Sequence, residues 1–321
     1  MKALVTGTAG FIGSHLSTAL LARGATVVGL DCFTDYYGRD IKEGNLAPLR
    51  KTSGFTFVED ALQTANLSSV LDGVTHVFHL AAQAGVRKSW GKDFQTYTTH
   101  NVDATQRLLE HLVDRKIEKL VYASSSSVYG DRVQIPMTED ALPQPVSPYG
   151  VTKLAAEQLC YLYFANYGVP TVALRFFTVY GPRQRPDMGF HRFIRAVLTS
   201  QPISLYGDGE QTRDFTYVAD IVAAAMAAGD RGRPGAVYNI GGGSRVSINQ
   251  VFEMIGRITG RTPDIRREGA QKGDMRDTFA DTSRARADLG FQPATSLEAG
   301  LTAECEWLAG LLNVAPRLNV K

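Results

Sequence analysis

A tyrosine and a lysine four positions apart, Tyr149 and Lys153, have the side chains that acid–base chemistry needs. Ser147-Pro148 just before them is typical of a helix start, and residues four apart on a helix share one face. An ammonium group beside a phenol stabilises the phenolate and lowers a pKa of about 10 towards the range of a general base. The spacing alone is unspecific, because an ordinary exposed pair on a helix has the same pattern.

Four consecutive serines, at 124–127, follow a predicted buried strand. The carboxyl ends of parallel strands form the edge of a sheet at which ligands bind. Hydroxyls at that edge can hydrogen-bond a substrate oxygen or relay its proton, whereas the alternative is a polar strand end with some capping. We predict that at least one of the four takes part in the chemistry, and the pattern leaves open which one.

The chain begins with a strand, a glycine-rich turn and a helix, in that order. The turn has the spacing GxxGxxG at Gly7, Gly10 and Gly13, a variant of the dinucleotide-binding fingerprint. Glycine allows the tight turn and lets backbone N–H groups approach a pyrophosphate, and the helix N-terminus adds a positive dipole. We predict that a dinucleotide binds here, in contact also with Phe11 and Ile12 at the helix start.

An acidic residue, Asp31, ends the second predicted strand, 18 residues after Gly13. A carboxylate at this place accepts hydrogen bonds from the adenosine ribose and repels a 2′-phosphate, so NAD is favoured over NADP. The competing interpretation is that Asp31 only begins a loop. The presence of the turn and the acid at the expected separation favours the cofactor.

Two further segments follow strands on the same predicted edge. Asp60, followed by Ala61, is placed either to contact adenine or to cap a helix that starts at Ala61, and the sequence favours neither. Leu80, Ala81 and Ala82 end the fourth strand, where small side chains let a cofactor lie against the backbone. We include all five residues in the predicted NAD site.

The order of the elements predicts how these residues are positioned. Short, continuously apolar runs alternate with helical patterns up to Gly181, which is typical of a parallel, doubly wound sheet with helices on both faces. Shorter elements follow, with helices over 218–228 and 248–259 and a strand over 236–240. The earlier predicted strands cover 3–5, 26–30, 55–58, 76–80, 120–124 and 171–176, and the first helix covers 11–23.

Bulk composition limits the class of protein. The chain has 321 residues, 44% of them hydrophobic, and its 34 basic and 32 acidic residues give a net charge of +2. This balance indicates neither a nucleic-acid surface nor a polybasic membrane patch, and no apolar run approaches the roughly 20 residues of a membrane span. Three widely spaced cysteines predict no disulfide framework and no metal site, and with the N-terminal layout they favour a cytosolic setting.

The combination of motifs resembles the extended short-chain dehydrogenase/reductases that act on nucleotide sugars. The resemblance implies an α/β fold with an NAD-binding Rossmann domain over 1–180, to which 213–244 return. A smaller, mixed C-terminal domain over 181–212 and 245–321 is expected to bind the nucleotide sugar. The matching elements are the turn from Gly7 to Gly13, Asp31, Ser125, Tyr149 with Lys153, the motif from Arg175 to Pro182, that from Arg213 to Asp220, and Gly273-Asp274-Met275-Arg276.

Within that family the sequence is most similar to the UDP-glucuronate 4-epimerases. The similarity lies in Asp35-Tyr36-Tyr37, in the segment 81–87, and in 177–182 with 185–188. It implies NAD-dependent inversion at C4 of UDP-glucuronate through a 4-keto intermediate, which gives UDP-galacturonate. NAD is regenerated in every turnover and is expected to stay bound.

Four positions separate this group from its relatives. UDP-galactose 4-epimerases usually carry Asn where Thr178 and His100 stand. Nucleotide-sugar 4,6-dehydratases carry an Asp-Glu pair in place of Ser126 and Ser127, and UDP-glucuronate decarboxylases carry Glu in place of Ser127. The serines therefore argue against dehydration and against that family's decarboxylation.

The resemblance also assigns roles to the side chains. Tyr149 takes the proton of the sugar 4-hydroxyl, and Lys153 holds the nicotinamide ribose. Ser125, with Ser126, hydrogen-bonds the same sugar oxygen. Arg185 is expected to grip the carboxylate bidentately, so that the β-keto acid does not lose CO2; a phosphate or a surface acid is its alternative partner. The residues expected to contact the UDP-sugar are Arg87, Ser125, Ser126, Thr178, Arg185, Ser204, Tyr206, Arg213 and Arg276.

Three other functions stay open on the sequence. The first is 4-epimerisation of UDP-glucose or UDP-N-acetylglucosamine, and the second is decarboxylation or another oxidoreductase activity of the superfamily. The third is a non-enzymatic NAD-responsive binding protein, and the presence of Tyr149 and Lys153 argues against it. The family further implies a homodimer through helices near 101–113 and 149–167, with no nucleic-acid or membrane partner.

Overall fold

The computed structural model describes residues 1–269 and 275–314 of the chain. Its strands are β1 (Lys2–Thr6), β2 (Thr26–Asp31), β3 (Phe55–Glu59), β4 (His76–His79), β5 (Lys119–Ser125), β6 (Thr171–Phe176), β7 (Val179–Tyr180), β8 (Ile203–Tyr206), β9 (Thr212–Asp214), β10 (Thr216–Tyr217), β11 (Val237–Ile240), β12 (Arg245–Ser247) and β13 (Ile265–Glu268). Seven of them form one sheet in the order β11-β6-β5-β4-β1-β2-β3, with every neighbouring pair parallel. The strand order reverses between β1 and β4, the point at which doubly wound sheets bind ligands.

Helices cover both faces of this sheet, which confirms the predicted doubly wound α/β fold. One core contains Leu16 and Ile221, and the opposite core contains Leu108 and Ala156, all of them fully buried. The helices are α1 (Phe11–Ala22), α2 (Arg39–Arg50), α3 (Leu67–Val70), α4 (Phe94–Tyr97), α5 (Ala104–Glu110), α6 (Pro148–Tyr167), α7 (Gly189–Leu198), α8 (Val218–Arg231), α9 (Ile248–Thr259), α10 (Ser283–Leu289) and α11 (Leu297–Leu311). A π-helical segment, Thr98–Asp103, leads into α5.

The elements follow the sequence prediction closely and differ at their ends. β6 and α9 have the predicted bounds, while β4 ends at His79 and so excludes Leu80. β5 continues to Ser125, one residue further than predicted, because Ser124 and Ser125 still pair with Arg175 and Phe176 of β6. β5 therefore ends in polar residues, and hydropathy alone does not identify these residues as part of the strand.

A second unit is built on a core of its own. Helices α7, α9 and α11 pack around buried residues such as Ile194, Ile255 and Leu301, and β8 pairs with β13 beside them. Helix α10 lies elsewhere: Ala285 and Leu289 belong to the core of α1 and α8, although the segment 245–321 is predicted as part of the sugar-binding domain. Across the two described ranges, every helix is too short or too polar to be a membrane span.

The glycine turn is fixed by close backbone contacts. Gly7 has φ of +74° and its N–H donates to Leu30 O at 2.8 Å, while Gly10 N–H donates to Gly7 O at 3.0 Å. A Cβ at Gly13 would lie 2.1 Å from Gly7 O, so the first turn of α1 rests directly on the turn that precedes it. Steric constraints therefore explain the glycine at both the first and the last position of the GxxGxxG pattern.

Replacing Gly13 by alanine is expected to destabilise the protein by roughly 1–3 kcal/mol, because the added methyl group overlaps backbone that cannot move away. Gly44→Ala is the matched control: it lies inside α2 with nothing within 4 Å of an added Cβ. That variant is expected to be more stable by about 0.4–1 kcal/mol. Urea unfolding measures both, and a Gly13→Ala protein as stable as the unmodified one contradicts the steric argument.

Candidate active site

A cavity of about 930 Å³ opens along the carboxyl edge of the sheet, between it and the second unit. The strand ends of β1, β2, β4, β5 and β6 reach it, and β8 contributes the far wall. The predicted residues that line it are Gly7, Gly10, Phe11, Ile12, Gly13, Asp31, Asp60, Leu80, Ala81, Ala82, Arg87, Ser125, Ser126, Tyr149, Lys153, Thr178, Arg185, Ser204, Tyr206 and Arg213. Ala61 and Arg276 are not among the lining residues.

The first part of the cavity fits a dinucleotide. A Cβ at Gly7 would lie 2.9 Å from Ala81 N, so the turn packs on the end of β4 with no room for a side chain. The N-terminus of α1 reaches the cavity wall at Phe11 and Ile12, where helix N–H groups and the dipole favour an anion. These contacts form a cradle of the kind that pyrophosphate binding requires.

Asp31 both lines the cavity and begins a loop, and these are the two placements that the sequence left open. Its carboxylate lines the cavity, and it also accepts hydrogen bonds from Phe33 N at 3.0 Å and Ala9 N at 3.1 Å. Desolvation raises the pKa of Asp31, and these backbone donors together with the charge of Lys42 oppose the rise. The acid is therefore held in place beside the glycine turn by the loop that it begins.

Asp60 caps a turn. Its Oδ1 accepts hydrogen bonds from Ala61 N at 2.8 Å and from Thr64 Oγ1 at 2.5 Å, and no helix starts at Ala61. Asp60 still lines the cavity, whereas Ala61 does not. An adenine contact by these two residues stays a prediction.

Tyr149 and Lys153 lie in the first turns of α6, which begins as predicted. Ser147 caps the helix by accepting Gly150 N–H at 3.1 Å. Desolvation raises the pKa of Tyr149, while a hydrogen bond from Ser125 and the charge of Arg185 lower it. Burial lowers the pKa of Lys153 to about 7, and its ammonium lies 4.4 Å from the centre of the Tyr122 ring. The predicted effect of Lys153 on Tyr149 is not among these influences and stays a prediction.

The contacts separate the serines that the sequence could not. Ser124 donates to Glu157 Oε2 at 2.5 Å and is buried in a structural network. Ser125 accepts Ser127 N–H at 3.2 Å, and its hydroxyl lowers the pKa of Tyr149. Ser126 also lines the cavity, and within the described part of the chain it makes no contact with the Tyr149 phenol. Of the four serines, Ser125 is therefore the one that acts on Tyr149, and its contact with a substrate oxygen stays a prediction.

Arg185 has a partner within the chain. Its Nε and Nη2 donate to the two carboxylate oxygens of Asp187, each at 3.0 Å. Tyr36 donates to the same carboxylate at 3.2 Å. The acid partner that the sequence left as an alternative thus exists, and it lies inside the cavity. The resemblance placed Tyr36 only in a loop on the adenosine side and gave Asp187 no role, and the acid two residues after Arg185 is the signal that could have indicated the pair.

The remaining predicted substrate residues divide into two groups. Ser204 and Tyr206 of β8 face the cavity, and the Arg87 guanidinium lies 4.5 Å from the centre of the Tyr206 ring. Arg213 also lines it. Arg276 instead forms a bidentate pair with Asp208 at 2.9 and 3.1 Å and is half-exposed. Its diphosphate contact is unsupported by this geometry, and Gly273 and Asp274 of the same motif lie outside the described residues.

Comparison with known proteins gives consistent matches. Residues 3–241 match the NAD dependent epimerase/dehydratase family. A Bacillus subtilis protein described as an uncharacterized UDP-glucose epimerase, YtcB, is 47% identical over 97% of this chain and 99% of its own length. The UDP-glucuronate 4-epimerase of Thermodesulfobacterium geofontis is 38% identical over 95% of each chain. The crystal structure of UDP-glucuronic acid 4-epimerase from Bacillus cereus with UDP-glucuronic acid and NAD is 45% identical, with a TM-score of 0.95 over 97% of this chain and 100% of that one.

Proposed function

This chain belongs to the NAD dependent epimerase/dehydratase family, and we propose that it inverts C4 of UDP-glucuronate to give UDP-galacturonate with NAD as its cofactor. The observation that carries the proposal is that Arg185 lines the same cavity as Tyr149, Lys153 and Ser125, and its charge lowers the pKa of Tyr149. In a uronic acid the carboxylate is attached to C5, next to the reacting C4. The guanidinium of Arg185, in the same cavity as the catalytic base, is therefore placed to bind the carboxylate of a uronate.

The residues of the chain divide the reaction between them. Tyr149, as phenolate, removes the proton of the 4-hydroxyl, and the hydroxyl of Ser125 hydrogen-bonds the same oxygen. Lys153 holds the nicotinamide ribose. NAD, held by the glycine turn and Lys153, would supply an acceptor for the C4 hydride and, once reduced, a hydride donor to the 4-keto sugar. Tyr149 then gives its proton back to the new 4-hydroxyl, so no net oxidation occurs.

The 4-keto sugar has to rotate so that its opposite face is reduced, while the nucleotide stays bound in place. Ser204, Tyr206 and Arg213 line the end of the cavity formed by the second unit, and we assign them to the UDP moiety. Arg276 does not line the cavity, so a contact with the diphosphate requires its side chain to move. Rotation about the bond to the diphosphate then presents the opposite face of C4 to the same catalytic residues.

Neutral UDP-sugars are the second candidate, favoured by the printed name of the Bacillus subtilis relative. Thr178 and His100 line the cavity where UDP-galactose 4-epimerases usually carry Asn, and a neutral sugar gives Arg185 nothing to bind. Dehydration and decarboxylation are disfavoured because Ser126 and Ser127 stand where an acid is needed. A non-enzymatic NAD-binding role does not explain why Tyr149 and Lys153 both line the cavity.

We also propose that two copies of the chain associate through α6 and the helix near 101–113. Helix α6 exposes several large apolar side chains, more than a solvated helix face needs. They are Val151, Tyr161, Leu162 and Tyr167, which are 47–59% exposed. Val151, Tyr161 and Leu162 lie within about 100° of one another around the helix, whereas Tyr167 lies on the other side at its end. Burial of the three that share a side in a second copy explains their apolar character.

A cytosolic setting is the last part of the proposal. Cys32, Cys160 and Cys305 are free thiols, and the latter two are buried. Burial raises the pKa of both of these thiols, which leaves them unreactive. Free cysteines of this kind are compatible with a reducing compartment.

Incubation with UDP-glucuronate is expected to yield UDP-galacturonate without net consumption of NAD, because the hydride that leaves C4 returns to it. Anion-exchange chromatography separates the product from the substrate. Tyr149→Phe is expected to slow turnover by about 10²–10⁴-fold, whereas Tyr161→Phe, on the exposed side of the same helix, keeps normal activity. Conversion of UDP-glucose or UDP-N-acetylglucosamine but not of UDP-glucuronate overturns the proposal.

Ser125→Ala is expected to move the acid limb of the pH profile of kcat/KM to higher pH by about one unit. The lost hydroxyl stabilised the phenolate of Tyr149, so the pKa of Tyr149 rises and a higher pH is needed to ionise it. Ser126→Ala is expected to leave the limb in place. Equal shifts in both variants, or none in Ser125→Ala, contradict the assignment.

Leu162→Glu is expected to convert the dimer to single chains, because it places a charge in the proposed apolar interface. Light scattering after gel filtration should give twice the chain mass of 34.9 kDa for the unmodified protein and that mass for the variant. Leu142→Glu, at a loop residue that is 72% exposed, controls for added charge. A single-chain mass for the unmodified protein refutes the dimer.

A further inference from the structure

The cavity contains a three-residue bridge whose function the epimerase reaction does not by itself explain. Asp187 holds Arg185 through two parallel hydrogen bonds of 3.0 Å, and the Tyr36 hydroxyl donates to Asp187 Oδ2 at 3.2 Å. The Arg185 guanidinium also lies 5.8 Å from the centre of the Tyr36 ring. Each of the three side chains therefore contacts the other two.

The bridge joins segments that are far apart in the chain. Tyr36 lies in the loop between β2 and α2, beside Asp31, and Asp187 lies between β7 and α7. The Tyr36 hydroxyl is packed so closely on the backbone at Gly85 that a Cβ there would lie 2.0 Å from it. Tyr36 is thus wedged against the segment that follows β4. The carboxylate of Asp187 is anchored to the cofactor side of the cavity.

The geometry leaves part of Arg185 available to a ligand. A guanidinium has five N–H donors, and Asp187 uses one on Nε and one on Nη2. The edge formed by Nη1 and the second Nη2 hydrogen stays open, and this edge can bind another carboxylate bidentately. With one edge fixed by Asp187, the other edge is aimed in a single direction. The side chains of Arg185 and Asp187 are only 21% and 30% exposed, which restricts other rotamers.

We propose that Asp187, anchored by Tyr36, is a positioning residue that aims Arg185 at the sugar carboxylate and thereby prevents loss of CO2 from the 4-keto intermediate. The proposal rests on the proposed function. The inference adds Tyr36 and Asp187, which act on the substrate through Arg185. Their effect is on the fate of the intermediate rather than on the proton transfer at C4.

The reaction that the bridge suppresses is a simple decarboxylation. The 4-keto uronate is a β-keto acid, and when its C5–C6 bond aligns with the C4 carbonyl π system, that bond breaks. CO2 leaves, the electron pair of the bond forms an enolate across C4 and C5, and C5 takes a proton from solvent. Return of the stored hydride to C4 then gives a UDP-pentose. A guanidinium that fixes the carboxylate out of this alignment keeps the C5–C6 bond intact.

The test is the product ratio of Asp187→Asn with UDP-glucuronate. The variant keeps the shape of the side chain and loses the charge that holds Arg185. We expect the ratio of UDP-pentose to UDP-galacturonate to rise about 10-fold or more, as for the loss of charge-assisted hydrogen bonds. Trapping of CO2 from substrate labelled at C6 and chromatography measure it. Asp140→Asn, which removes an exposed acid whose two carboxylate oxygens both accept from Arg284 Nη2 outside the cavity, should keep the ratio of the unmodified protein.

Tyr36→Phe provides a second variant that loses only one hydroxyl. We expect it to raise the ratio less than Asp187→Asn does, with kcat for total turnover within about 3-fold of normal because no group that contacts C4 has changed. A purely structural role of the bridge would slow both reactions and leave their ratio unchanged. That outcome in both variants, with the unmodified protein active on UDP-glucuronate, overturns the inference alone. Inactivity of the unmodified protein on UDP-glucuronate overturns the proposed function.

Discussion

The catalytic edge of the sheet depends on a buried ion pair between Glu157 of α6 and Arg175 of β6. Arg175 donates through Nη2 at 2.6 Å and through Nε at 3.1 Å, and both side chains are almost fully buried. Ser124 of β5 donates to the same carboxylate, so two strands and the helix meet at one group. Removal of either partner leaves a buried charge and costs about 3–5 kcal/mol. Tyr149 and Lys153 lie about two turns and one turn before Glu157, so the pair also fixes their height above β5.

The loop that carries Arg185 is held from two sides. Gly181 N–H donates to Glu304 Oε2 of α11 at 2.7 Å, and His15 Nε2 of α1 donates to Pro182 O at 2.8 Å. Burial raises the pKa of Glu304 and lowers that of His15 to about 4, so His15 is neutral near pH 7. The cofactor helix and the second unit thus share the loop, and the sugar end of the cavity is positioned by both.

The sequence predicted the parts of the site that local rules determine. The glycine turn, β6 and the start of α6 follow from steric needs, apolar runs and capping, each read over a few residues. Contacts across the chain were not predictable in this way. Tyr36 reaches a partner 151 positions away, and Ser124 differs from Ser125 only because side chains alternate along β5 and α6 covers one of its faces. For Arg276 the motif matches the family, yet its side chain donates to Asp208 and does not line the cavity.

Desolvation acts on the two members of the Tyr–Lys pair in opposite directions. It raises the pKa of Tyr149 and lowers that of Lys153 to about 7, because burial disfavours the phenolate and the ammonium alike. The positive charge of Arg185 favours the phenolate, and in the proposed reaction a uronate carboxylate bound to Arg185 would cancel part of this effect and weaken the base. The hydroxyl of Ser125 also lowers the pKa of Tyr149, and because it is uncharged it keeps its effect when a charged substrate binds. The proposed substrate therefore makes the base depend more on Ser125 than on Arg185.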